Sequence, residues 1–189
     1  MWWLYILIAV VVIAVIAIIA WWIKTYNQLV ANAQKVQNQW SQIDVQLKKR
    51  YDLIPNLVET VKGYAKHEKE TLENVVMWRS RATSATTPEE SIEANKGLSG
   101  ALSRLLVTME NYPELKANAN FIALQGDLKD IENKISMARQ FYNDVVQKNN
   151  ELIQKFPSSI VANNNKAKFK LEKYFEVEEV VREAPKVQF

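Results

Sequence analysis

Residues 2–23 contain no charged or strongly polar side chain, and nothing else in the chain limits its fold as much. At 1.5 Å per residue, a helix over these positions is long enough to cross a hydrocarbon layer of about 30 Å. A helix that is apolar on every face must be surrounded by apolar material. The rest of the chain is amphipathic, so the run reads as a membrane span rather than a buried core helix. Trp2, Trp3 and Tyr5 mark one end and Trp21 and Trp22 the other, placing amphipathic rings at the two headgroup layers. A cleaved signal peptide would need a basic start, a shorter apolar stretch and a small-residue cleavage site, and only Met1 precedes the run. The expectation is a transmembrane anchor over residues 1–23.

Charge sets the orientation. Lys24 and Lys35 follow the run with no acid before Asp44, and Lys48, Lys49 and Arg50 come soon after. Positive charge near a span tends to stay cytoplasmic, so a single-pass protein of the inner (plasma) membrane with a cytoplasmic soluble part is expected. The net charge is only +3, with acids interspersed throughout. That gives no footing for nucleic-acid binding, which needs clustered basic residues. The chain has no cysteine, which excludes disulfides, a lipoprotein cysteine and thiolate metal sites.

Neither Gly nor Pro occurs before Pro55, so nothing local stops the spanning helix from continuing into the soluble part. Leu29, Ala33, Val36, Trp40, Ile43 and Leu47 alternate by four and three, with Tyr51 four residues further on, the seam of a helix that packs on other helices. Pro55 cannot donate to the Tyr51 carbonyl and would clash with it, which predicts a kink or short break over residues 52–55. A second run carries Leu57, Val58, Val61, Tyr64, Ala65, Leu72, Val75 and Val76 at helical spacing, with Gly63 inside it, and fades after Arg81. Residues 82–88 are small and polar and suit a turn. Thr87-Pro88-Glu89-Glu90 then restarts helix with a capping residue, a proline at the first position and a glutamate that can complete a capping box. Leu98, Leu102, Leu105 and Met109 form the stripe of a third helix that ends near Tyr112, before Pro113. From Glu114 a long seam runs through Phe121, Leu124, Leu128, Ile131, Ile135, Ala138, Tyr142, Val145, Asn149 and Leu152 to Phe156, where Pro157 stops it. Residues 158–170 show no period, and Asn163 to Asn165 suit a loop. The tail packs on the bundle through Phe175, Val177 and Val180 or runs extended, with Pro185 arguing against a final helix. The predicted fold is therefore all-α: a transmembrane helix over 1–23 continuing into a long antiparallel bundle of three to four helices over 24–157, then a loop and tail over 158–189.

Two long stretches carry a family resemblance. Trp40-Ser-Gln-Ile-Asp-Val-Gln-Leu-Lys-Lys-Arg50 and Asp52-Leu-Ile-Pro-Asn-Leu-Val-Glu-Thr-Val-Lys-Gly-Tyr-Ala-Lys-His-Glu68 closely resemble the signature of LemA proteins. Tyr112-Pro-Glu-Leu-Lys-Ala-Asn118, Asn120-Phe121, Leu124-Gln125, Ile131-Glu-Asn133, Arg139 with Tyr142-Asn143, and Phe156-Pro-Ser158 are similar to the family's later motifs and keep their order. The resemblance implies an N-terminal membrane helix with a cytoplasmic antiparallel helical bundle in bacteria. It also implies a link to membrane stress alongside a membrane-bound zinc protease, and a relative with a part in magnetosome membrane formation. The sensor-kinase reading sometimes attached to the name does not apply, since the chain has no ATP-binding domain or phosphoacceptor context.

The residues themselves offer little catalytic chemistry. His67, the only histidine, has Glu68, Glu70 and Glu73 nearby, but Lys66 and Lys69 are interleaved and a solvated charged face explains the set better than a metal site. There is no His-Glu-x-x-His, no Gly-rich phosphate loop and no Gly-x-Ser-x-Gly, so no catalytic residue, cofactor or metal is expected. The candidate interaction or structural polar network is the charged group around the Pro55 break: Trp40, Asp44, Arg50, Asp52, Pro55 and Glu59. Asn149 interrupts an apolar seam as a register-setting asparagine does. The function expected is a non-enzymatic membrane scaffold or adaptor that self-associates and organises or remodels the bilayer, its partners being membrane lipid and further copies of itself. The alternative is a regulatory partner of a membrane-bound quality-control zinc protease in envelope stress.

Overall fold

The structure, a computed structural model, describes residues 1–175, so Val177, Val180 and Pro185 lie outside the described residues. All regular structure among them is helical: α1 (Trp2–Lys62), α2 (Lys69–Ser84), α3 (Pro88–Met109), α4 (Pro113–Lys116), α5 (Ala119–Gln154) and α6 (Ser158–Asn163). They form two compact units, one of Met1–Trp40 with the chain from Gln140 onward, the other of Ser41–Arg139.

In the first unit, residues 2–23 are α-helical, and none of residues 2–20 is buried. Burial begins where the apolar run ends. Leu29 packs with Val161, Ala162 and Phe169, and Trp21, Trp22, Tyr26, Val30, Leu152 and Ile153 pack against that cluster. Trp40, further along α1, meets Tyr142, earlier along α5, so the two helices run antiparallel here. Residues 158–163 form a helix where the sequence shows no period. Six residues are too few for a periodic signal, and α6 is fixed by burying Val161 and Ala162 against α1. Phe156 does not continue the α5 seam, since α5 ends at Gln154 and the ring is exposed.

The segment after α6 is tied to α5 by two asparagine side chains. Asn150 donates to the Glu172 carbonyl at 2.8 Å and accepts from the Glu172 amide at 3.0 Å. Asn143 does the same for Phe175, at 3.0 and 2.7 Å. Seven helical residues rise about 10 Å, the same distance that three extended residues cover, so both amides bond the segment in register. Phe175 accordingly lies on Trp40, ring centroids 6.2 Å apart.

In the second unit, α1 runs through Pro55 as one continuous helix, so of the kink or short break expected there the break does not form. The carbonyl of Tyr51 that Pro55 cannot serve accepts from Arg79 Nε instead, at 2.8 Å. The break falls later, over residues 63–68: Gly63 opens a turn in which Ala65 is buried and Glu68 accepts from the Tyr112 hydroxyl at 2.9 Å. The second run is thus split between the end of α1 and α2. The capping box at α3 is formed, with Thr87 accepting from the Glu90 amide and Glu90 from the Thr87 amide. Asn118 caps α5 by accepting from the amides of Asn120 and Phe121.

Candidate functional site

The seam of α1 places Ile43, Leu47, Arg50 and Ile54 on one buried face by steps of four, three and four. Arg50 therefore enters the second unit's core as if it were a hydrophobe, with no side-chain exposure. A buried guanidinium is tolerated only when its donors are met. One terminal nitrogen donates to Glu132 of α5 and, at 2.9 Å, to Ser99 of α3. The other donates to the Asn95 side-chain carbonyl on α3. Asn95 also accepts from the Tyr51 hydroxyl at 2.8 Å and donates to the Ser91 carbonyl at 2.7 Å. Arg50 Nε alone has no partner. The network thus joins α1, α3 and α5 around one cation, balanced by one carboxylate that is 41% exposed.

Burial raises the Tyr51 phenol above its ordinary range, opposed by the hydrogen bond to Asn95 and the charge of Arg50. Burial likewise lowers the Arg139 guanidinium, helped by the like charge of Arg50 and opposed by Glu132. Both groups belong to the set of side chains that ties α1, α3 and α5 together.

Of the six residues expected around Pro55, Arg50 enters this network. Asp44, Asp52, Pro55 and Glu59 are exposed, and Glu59 pairs with Lys62 at 3.0 Å. Trp40 belongs to the other unit and is half-buried between Tyr142 and Phe175. The partners the sequence reading missed are Asn95, Ser99 and Glu132. A signal existed for two of them: Asn95 lies three residues before Leu98 on the α3 stripe, and Glu132 lies within the Ile131-Glu-Asn133 motif. Asn149 is buried, and its side-chain carbonyl has no hydrogen-bond partner among the described residues. His67 is exposed in the turn after α1, and among the described residues no group of three or more His, Asp or Glu side chains could hold a metal ion.

A second candidate lies in the first unit, where the apolar run ends. Trp21 and Trp22 are half-buried with ring centroids 6.4 Å apart, whereas Trp2 and Trp3 are exposed. Next to them Tyr26 meets Phe169 edge-on at 5.6 Å, and Lys168 Nζ sits 5.0 Å from the Tyr26 ring centre while bonding its hydroxyl at 2.8 Å.

The family model of the LemA family matches residues 39–189, the part of the chain that holds Arg50, Asn95 and Glu132. The chain belongs to the LemA family. It is 25% identical to Protein LemA of Metamycoplasma hominis over 72% of this chain and 63% of that protein. It is 23% identical to Magnetosome proteins MamQ 2 and MamQ 1 of Paramagnetospirillum magneticum, over 82% of this chain and 67% of each. This LemA-family chain thus spans about two thirds of the length of the curated relatives it matches, and their names describe no catalytic activity.

Proposed function

We propose that this LemA-family protein is a non-enzymatic, single-pass membrane scaffold that self-associates through its helical part. The observation that carries the reading is α1. One uninterrupted helix contains a fully exposed apolar segment of membrane length and, further along, the Arg50 side chain that ties three helices together. Both lie on the same helix, which supports a body held at the membrane by its own anchor. The body also leaves apolar side chains bare: Val107 of α3, and Val76 and Met77 of α2, which with Val58, Ala65 and Leu72 line a groove of about 750 Å³ edged by Lys62, Lys66, Lys69 and Glu73. Exposed apolar surface of this kind suits contacts between proteins. The names of the two magnetosome relatives support work at a membrane-bounded site.

The lysines that α6 and its following turn bring back to the end of the apolar run add to those next to it in sequence, which supports a cytoplasmic body at the inner membrane. Because the chain has no cysteine, Met77→Cys and Val107→Cys each introduce a single crosslinking site. Homodimeric crosslinks in native membranes from at least one of them are expected. Monomers alone from both would overturn self-association. Crosslinks to a membrane protease in fixed proportion would instead favour a regulatory subunit of a quality-control zinc protease.

A further inference from the structure

The corner where α5 gives way to α6 has features that the packing of the first unit does not use. Phe156 is 82% exposed and Ile160 is also exposed, although both are large and apolar. From residue 152 to residue 171 there are four lysines, Lys155, Lys166, Lys168 and Lys170, and no acid. All four are exposed, and among the described residues only Lys155 has a carboxylate partner, Glu151. A single exposed Phe on a soluble surface needs no explanation. Here it lies in the segment that packs against the end of the apolar run.

Position along α1 decides what this corner faces. Leu152 and Ile153 pack in the cluster that includes Trp21 and Trp22, and Lys168 is held by Tyr26. Tyr26 is four residues, about 6 Å, beyond Trp22. If Trp21 and Trp22 mark the edge of the hydrocarbon, the polar layer above it is about 5 to 8 Å deep. The lysine-bearing turn then stands within that layer.

We propose that the corner from Lys155 to Lys170 is a second, peripheral membrane contact specific for anionic lipid headgroups. Phe156 and Ile160 enter the boundary between headgroups and acyl chains, while Lys166, Lys168 and Lys170 face the headgroup charge. Aromatic and aliphatic side chains backed by lysines without acids are the chemistry that binds such a surface. The occupant is lipid rather than a second copy of the chain, because the patch is continuous with the segment read as spanning the bilayer and a like-charged copy would be repelled. This inference rests on that membrane reading.

The full chain is tested in phosphatidylcholine vesicles with and without phosphatidylglycerol, carrying one fluorophore on Ile160→Cys, with lipids brominated high on the acyl chain as quenchers. Quenching is expected with phosphatidylglycerol and is expected to fall in its absence. Replacing Lys166, Lys168 and Lys170 by Gln is expected to lower the docked-to-undocked ratio about a hundred-fold, at about five-fold per lysine. Phe156→Ser is expected to weaken quenching in both lipids. Quenching at position 160 that ignores lipid charge and the three substitutions, or no quenching at all, would overturn the proposal. A second fluorophore position, Ile13→Cys with deeply brominated lipid, separates the two readings. If it is quenched while position 160 is not, only the peripheral contact fails; if it is not quenched, the anchor itself is wrong.

Discussion

A guanidinium shut away from water keeps its charge, so the behaviour of Arg50 turns on how its donors are met. Glu132 is its only carboxylate partner among the described ion pairs. Glu132→Ala leaves a buried cation without a counter-charge, which costs about 3 to 5 kcal/mol in a closed interior. Because Glu132 is 41% exposed, water can partly replace it, and a loss near about 3 kcal/mol is expected from urea unfolding in detergent. Glu132→Gln keeps an acceptor and should lose less; equal losses would mean that the charge is irrelevant. Tyr51 gives a pH signature. Its pKa is raised on folding, chiefly by burial, so the folded state holds the phenolic proton more tightly than the unfolded chain. The stability this represents is complete below the unfolded pKa of about 10 and is lost as pH rises through the folded value. Tyr51→Phe is expected to flatten the fall of stability in that alkaline window and leave the slope near neutrality unchanged. Arg50 was legible only as one of the charges near Pro55, although its place three residues after Leu47 and four before Ile54 sets it on the buried face. Its exposed neighbours Asp44, Asp52 and Glu59 lie off the buried face, and treating all nearby charges as one group hid that difference.

Helix α3 shows how one element is fitted to another. At Gly97 an added Cβ would lie 2.3 to 2.5 Å from the Trp78 ring of α2, a ring already stacked under Arg81, whose guanidinium carbon is 4.9 Å from its centre. Alanine is the better helix former by about 1 kcal/mol, but forcing a methyl into a filled contact costs about 1 to 3 kcal/mol. Gly97→Ala is therefore expected to lower the melting temperature, while Gly100→Ala, which meets nothing within 4 Å, is expected to raise it by about 0.5 to 1 kcal/mol of stability. A gain at both positions would show that α2 yields freely. The same contrast between local and distant information explains which elements could be read from sequence. The α3 start was legible because Thr87, Pro88 and Glu90 act within four residues. The continuity of α1 through Pro55 was not, because the group that satisfies Tyr51 is Arg79, on another helix and 28 residues away. α6 left no trace either, since its six residues are fixed by the surface they cover rather than by their own pattern.

For the molecule as a whole, the question is what covers an apolar helical segment that the other described residues leave bare. From Leu4 to Ile19 there are twelve Leu, Ile and Val residues. On the scale measured for insertion into a bilayer they favour a spanning state by about 4 to 7 kcal/mol together, and one lysine at the centre opposes it by about 2.5 to 3.5. One such substitution is therefore survivable and two are not. Ile13→Lys is expected to remain largely in the membrane fraction after carbonate washing, whereas Val10→Lys with Ile13→Lys is expected to leave it. The double substitution lies far in sequence from Arg50, Asn95 and Glu132, so the second unit is expected to keep its helical circular dichroism and its cooperative unfolding. Full retention of the doubly charged protein would mean that another protein, and not lipid, covers the segment. In that case crosslinking through residues 2–23 should capture the covering chain.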